Sequence, residues 1–138
     1  MALLLALALA GAALLASSLA APTVRAAAAH VDTVRFDTDV NPAAARFIGG
    51  AIDRAQSDGA TTLVIEIDTF GGDLASMQTI REKELGSAIP IIVYVAPSGA
   101  HADSAGALLS LAAPVVAMAP GTRIGSASPV DSSGQDLS

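Results

Sequence analysis

Two near-continuous runs of aliphatic and β-branched residues, Thr61 to Ile67 and Ile89 to Val95, constrain this chain more than any other feature. Runs of that length without alternation belong to strands buried on both faces of a parallel sheet. Parallel neighbours need crossovers, and the intervening segments supply them. Asn41-Pro42 reads as an N-cap followed by proline at the first helical position. Phe47, Ile48, Ala51, Ile52 and Ala55 recur at helical spacing, with Arg46, Asp53, Arg54 and Gln56 on the other side. The Gly49-Gly50 pair costs such a helix about 1 kcal/mol per glycine, and is expected where a neighbour packs closely. Asp73 reads as a second N-cap, before an apolar stripe of Leu74, Met77 and Ile80. Val31 to Phe36 alternates as a half-exposed strand, and Pro114 to Met118 is a short fourth strand. The pattern predicts an α/β fold with a parallel-sheet βαβ core and right-handed crossovers. The tail from Pro120 to Ser138, rich in Gly, Ser and Pro, is expected to be loop.

The 138 residues allow one domain at most. With 52% hydrophobic but only 3% aromatic residues, its core must be built from Ala, Val, Ile and Leu. The net charge of −6 becomes more negative still without Arg25, which opposes binding to a phosphate backbone, so no nucleic-acid partner is expected. The absence of cysteine excludes disulfides, thiolate metal sites and cysteine nucleophiles. With two distant histidines, His30 and His101, and no clustered carboxylates, neither a metal site nor a cofactor is expected.

Met1 to Ala21 is almost wholly Leu and Ala, and Ala26 to Ala29 offers A-x-A cleavage geometry. Residues 1–29 therefore read as a signal peptide or, because about twenty apolar residues can span a bilayer, as a membrane anchor. Residues 30–138 form the domain, expected outside the cytoplasm or at the membrane.

The chemistry concentrates in Ser98-Gly99-Ala100-His101-Ala102-Asp103-Ser104-Ala105-Gly106, between a buried strand and an apolar helix, Ala105 to Ala113. Ser104 stands at that junction with small neighbours. It is either a plain N-cap or a nucleophile at the positive end of a helix dipole. Ser98 follows Pro97 and fits a turn, and Ser126, Ser128, Ser132, Ser133 and Ser138 lie in the tail. No G-x-S-x-G signature is present. His101 and Asp103 are too close in sequence to Ser104 to approach it as a triad, and His101 reads as a solvated loop histidine. After the preceding strand, Gly71-Gly72 is either a tight turn or a backbone N–H donor for an oxyanion.

In order, D-T-F-G-G-D, P-S-G-A-H-A-D-S-A-G and A-M-A-P-G-T-R-I-G-S-A-S-P-V resemble the protease domain of the nodulation-efficiency protein D family. These are membrane-bound serine proteases encoded beside stomatin-like proteins, with the Clp-protease and crotonase fold that signal peptide peptidase A also has. The resemblance runs over about residues 31 to 131. It implies a serine–lysine dyad, with Ser104 as nucleophile. The N–H groups of Gly72 and Ala105 would hold the oxyanion, and Gly71 would support the turn. The family's general base is a lysine beyond the P-G-T-x-I-G loop. The single lysine here, Lys83, precedes Ser104, so no residue inherits that role and the chain is expected to be a fragment or truncated product, inactive alone. Phe70 stands where the family usually has proline, and Asp103 where it has a small neutral residue.

The resemblance implies a peptide substrate with apolar segments, a stomatin-like partner, contact with the membrane and a homo-oligomer. Two other readings differ in kind. One is a non-catalytic membrane-organising module, which the missing lysine favours. The other is a crotonase-type acyl-CoA enzyme, which the export segment and the lack of basic residues to grip CoA oppose.

Overall fold

The computed structural model describes residues 29–128 together with Ser133 and Gln135. The segment read as signal or anchor lies almost wholly outside the described residues. Among them, no helix is long and apolar enough to cross a membrane.

The chain runs β1 (Val31–Phe36), α1 (Pro42–Ser57), β2 (Thr62–Ile67), α2 (Leu74–Leu85), β3 (Ile91–Val95), β4 (His101–Asp103), α3 (Ala105–Ala112), β5 (Val115–Met118) and β6 (Arg123–Gly125). β1, β2, β3 and β5 form one parallel sheet in that spatial order. Both expected caps form. Asn41 Oδ1 accepts from the N–H groups of Ala43 and Ala44 at 2.9 and 3.0 Å. Asp73 accepts from Ser76 N–H at 2.8 Å.

The sheet is not buried evenly. Leu63, Ile65, Ile67, Ile91, Val93 and Val95 are fully buried and join one core with Ile48, Ile52, Met77, Ile80 and Leu109 of the three helices. The alternate residues Thr62, Val64, Glu66, Ile92 and Tyr94 are only half-buried. A near-continuous aliphatic run predicts two covered faces. Here the strand order advances in one direction, so right-handed crossovers carry every helix to the same face.

Other expectations shift for similar reasons. Phe47 and Leu74, placed on apolar stripes by periodicity, are 49% and 61% exposed. Gly49 does not mark a close approach, since a Cβ there would meet Lys83 Cγ at an ordinary 3.8 Å. The tail is not all loop, because β6 pairs in parallel with β4 as a second, two-stranded sheet. Three-residue strands of mixed composition are too short to show a period of two.

Lys83 joins α2 to α1 through Asp53 at 2.7 and 2.9 Å, an exposed pair worth at most about 1 kcal/mol. Glu84 is a costlier feature. It is buried, its Oε2 has no hydrogen-bond partner, and it borders a cleft of about 470 Å³ with Pro90, Ala112 and Pro114. Burial raises its carboxyl to about 8 from 4.5. The folded protein therefore keeps a proton that the unfolded chain releases above pH 4.5. This costs stability progressively between pH 4.5 and 8, in total on the order of 3–5 kcal/mol. Glu84→Met should raise Tm more at pH 8 than at pH 5. An unchanged pH slope of Tm across that window would show that Glu84 does not carry it.

Candidate active site

The loop after β2 is tied by one parallel bridge to β4, just before α3, and by another to Val40, ahead of α1. Thr69 N–H donates to His101 O at 2.7 Å, and Asp103 N–H donates to Thr69 O at 3.0 Å. On the other side, Val40 N–H donates to Gly71 O and Asp73 N–H to Val40 O, both at 2.8 Å. The second bridge uses the atoms flanking Gly72. In extended backbone successive N–H groups point opposite ways, so the Gly72 N–H is turned away from Val40.

Each glycine allows a different contact. A Cβ on Gly71 (φ +106°) would lie 2.6 Å from Ser104 Cβ and 3.1 Å from Ser104 Oγ. A Cβ on Gly72 (φ +148°) would overlap the Val40 carbonyl oxygen. The glycine pair is thus wedged between Val40 and Ser104. The Gly71 N–H is occupied, donating to Thr69 Oγ1 at 3.1 Å. Among the described residues, the N–H groups of Gly72 and Ala105 donate to no protein acceptor.

Ser104 precedes α3 with φ 53° and ψ −116°, a conformation that non-glycine residues rarely adopt. Its side chain makes no capping hydrogen bond, so it is not the plain N-cap that local pattern allows. Its backbone is held instead: the Ser104 N–H donates to Gly125 O at 2.8 Å, and Ser104 O accepts from Ala107 N–H at 3.0 Å. A half-buried hydroxyl with no local partner, at a strained helix entrance beside two unpaired amides, can attack a carbonyl whose developing oxyanion those amides receive.

His101, Asp103 and Lys83 each have a side-chain partner. His101 is not a solvated loop residue. It lies in β4, stacks on Phe70 with ring centroids 4.7 Å apart, and places Nδ1 3.5 Å from Asp68 Oδ1. Asp68 Oδ1 also accepts the His101 N–H at 2.9 Å. Asp103 is buried and bound to Arg123, whose hydrogen bonds hold its carboxyl below the ordinary value. Lys83 faces α1 across the Asp53 pair, on a different side of α2 from the Met77 and Arg81 positions that meet α3. The roles of Thr69, Asp68 and Arg123 escape sequence reading. Thr69 alone left a signal, as a threonine two residues before a glycine can close a side-chain turn.

The family model for the N-terminal domain of NfeD1b matches residues 30–138. The chain belongs to this family. Membrane-bound protease PH1510 of Pyrococcus horikoshii is 45% identical to it over 76 residues, covering 55% of this chain and 17% of the relative. Membrane protein NfeD1b of Bacillus subtilis is 31% identical over 104 residues, 75% of this chain and 23% of the relative. The chain thus spans under a quarter of the length of these curated relatives. A solved structure of the 1510-N membrane-bound stomatin-specific protease, a lysine-to-alanine mutant in complex with a substrate peptide, superposes with a TM-score of 0.73. That match has 33% identity and covers 79% of this chain and 51% of that one. At the level of fold alone, ClpP1 of Listeria monocytogenes superposes with a TM-score of 0.59 at 21% identity, over 67% of this chain and 53% of that one. This NfeD1b-type domain is therefore protease-related and has a Clp-like α/β fold.

Proposed function

We propose that the domain of residues 30–138 is the serine endopeptidase domain of a membrane-associated protease, with Ser104 as its nucleophile. The observation that carries this reading is the strained Ser104, its hydroxyl beside Gly71, with the N–H groups of the next residues along each segment, Gly72 and Ala105, unpaired. Ser104 Oγ attacks the peptide carbonyl, and the two N–H groups receive the oxyanion. Gly71 lets the turn approach the serine. A lysine takes the proton from Oγ and returns it to the leaving amine. That lysine is supplied from outside residues 1–138, because the single lysine here, Lys83, is engaged by Asp53.

The substrate is an apolar peptide segment, from a stomatin-like partner. Phe70 and Leu74 flank the glycine pair and are 67% and 61% exposed, which provides apolar surface at the mouth of the site. Residues 1–29 carry the domain out of the cytoplasm as a signal or anchor, and the domain assembles as a homo-oligomer. The non-catalytic reading is favoured by one observation: among the described residues, no side chain hydrogen-bonds to Ser104 Oγ.

Peptide panels separate the two. The protein as its gene encodes it should cut peptides with apolar segments and leave acidic ones intact, as followed by mass spectrometry. Residues 1–138 alone should cut no faster than their own Ser104→Ala variant. If the gene-encoded protein cuts neither class, the non-catalytic reading replaces the protease. Serine-dependent cleavage by residues 1–138 at ordinary protease rates would instead place the base on His101 or Lys83.

A further inference from the structure

We propose that the Asp103–Arg123 ion pair is a latch that holds the backbone of Ser104 in its reactive conformation, a role that rests on the reading of Ser104 as nucleophile. A residue in a sparsely populated region of backbone space persists only where its surroundings over-determine it. Ser104 is held on its N-terminal side by one contact to β6, its N–H to Gly125 O at 2.8 Å. β6 and β4 have three residues each and pair only with one another and an isolated bridge, and a two-stranded pair is marginal by itself. Beyond the ladder, Ile124 of β6 packs against the core, and a second anchor holds the strand beside Gly125.

The side chains supply it. In the parallel register His101 stands opposite Arg123 and Asp103 opposite Gly125, so Arg123 reaches two residues along β4 to the carboxylate. Arg123 Nε lies 3.2 and 3.1 Å from the two Asp103 oxygens, and Nη2 lies 2.6 Å from Oδ2. The planar fork fixes direction as well as distance. The carboxylate is 7% exposed and the guanidinium side chain 60% exposed, so the cation closes over a buried anion from the solvent side. Asp103 is also bonded through its N–H to Thr69 O, on the loop that carries Gly71 and Gly72. The backbone of Asp103 therefore joins the segment that positions the serine to the loop that carries the Gly72 amide, and its side chain joins that segment to β6. The pairing also sets the sign of the effect at Asp103. An unpaired carboxylate would oppose an oxyanion and its removal would speed the reaction. Paired with Arg123, its removal frees β6 and slows it.

The test uses the protein as its gene encodes it, with Arg123→Met, Arg123→Lys and Asp103→Asn. Arg123→Met leaves a buried carboxylate alone, so Asp103→Asn, which removes the charge at constant size, stands in if that variant does not fold. Two readouts are taken: kcat and KM for Ser104-dependent peptide hydrolysis, and amide hydrogen exchange at Ser104. Both charge-removing variants should lower kcat about tenfold to a hundredfold with KM changed by less than about twofold. Exchange at Ser104 should accelerate at least about tenfold while β2 and β3 amides stay unchanged. Arg123→Lys should recover part of each loss. Unchanged exchange at Ser104 in both charge-removing variants overturns the latch. A parent that cuts no peptide removes the protease reading alone, since the exchange readout decides the latch without it.

Discussion

Ser104→Ala should abolish peptide cleavage in the gene-encoded protein while leaving its stability nearly unchanged. In the proposed reaction the Ser104 hydroxyl is the atom that bonds to the carbonyl carbon. In serine proteases the loss of the nucleophile lowers kcat by about 10⁴- to 10⁶-fold, and the oxyanion donors keep a residual advantage over water. Stability should barely move, because Ser104 Oγ makes no capping hydrogen bond whose loss would strand a partner. A replacement of this kind falls within about 0.5 kcal/mol. Measured kcat/KM together with Tm separates this result from unfolding. A variant that cleaves at the parental rate would remove Ser104 as nucleophile.

Gly72→Ala should damage both the fold and the chemistry. The added Cβ would overlap Val40 O and lie 2.9 and 3.0 Å from Val40 N and C, and φ +148° is itself unfavourable for alanine. Val40 cannot retreat, since its N–H and C=O are both held at 2.8 Å by Gly71 and Asp73. The turn must open, which moves the Gly72 N–H away from the oxyanion. Loss of one such donor costs about 10²- to 10³-fold in kcat, and forced overpacking costs about 1–3 kcal/mol of stability. Gly99→Ala is the control. Its φ is +85°, but nothing lies within 4 Å of the added Cβ. It should carry only the backbone strain of about 1–2 kcal/mol and leave kcat in place. Equal kcat in Gly72→Ala and the parent would take the oxyanion role from this turn.

The two sites respond differently because their constraints differ. Ser104 is held through its backbone, so its side chain can be trimmed without structural cost. Gly72 is held by the absence of a side chain, so any substitution is first a packing fault.

The aliphatic runs at Thr61 to Ile67 and Ile89 to Val95, with Asn41-Pro42 and Asp73 as caps, determine a parallel α/β core without reference to tertiary structure. Hydrophobic periodicity and capping are local properties, carried by residues close in sequence. The ordered glycine and serine blocks likewise mark where chemistry lies, because positive φ and small size are demanded at single positions. Which face of the sheet is covered was decided by the direction in which the crossovers accumulate, a property of the whole chain. So were the exposure of Phe47 and Leu74, the stacking of His101 on Phe70 and the pairing of β6 with β4. Arg123 lies in a segment that composition marks as loop, and its partner Asp103 is twenty residues away. No local pattern links them, and only the parallel register of two three-residue strands brings the guanidinium onto the carboxylate beside Ser104.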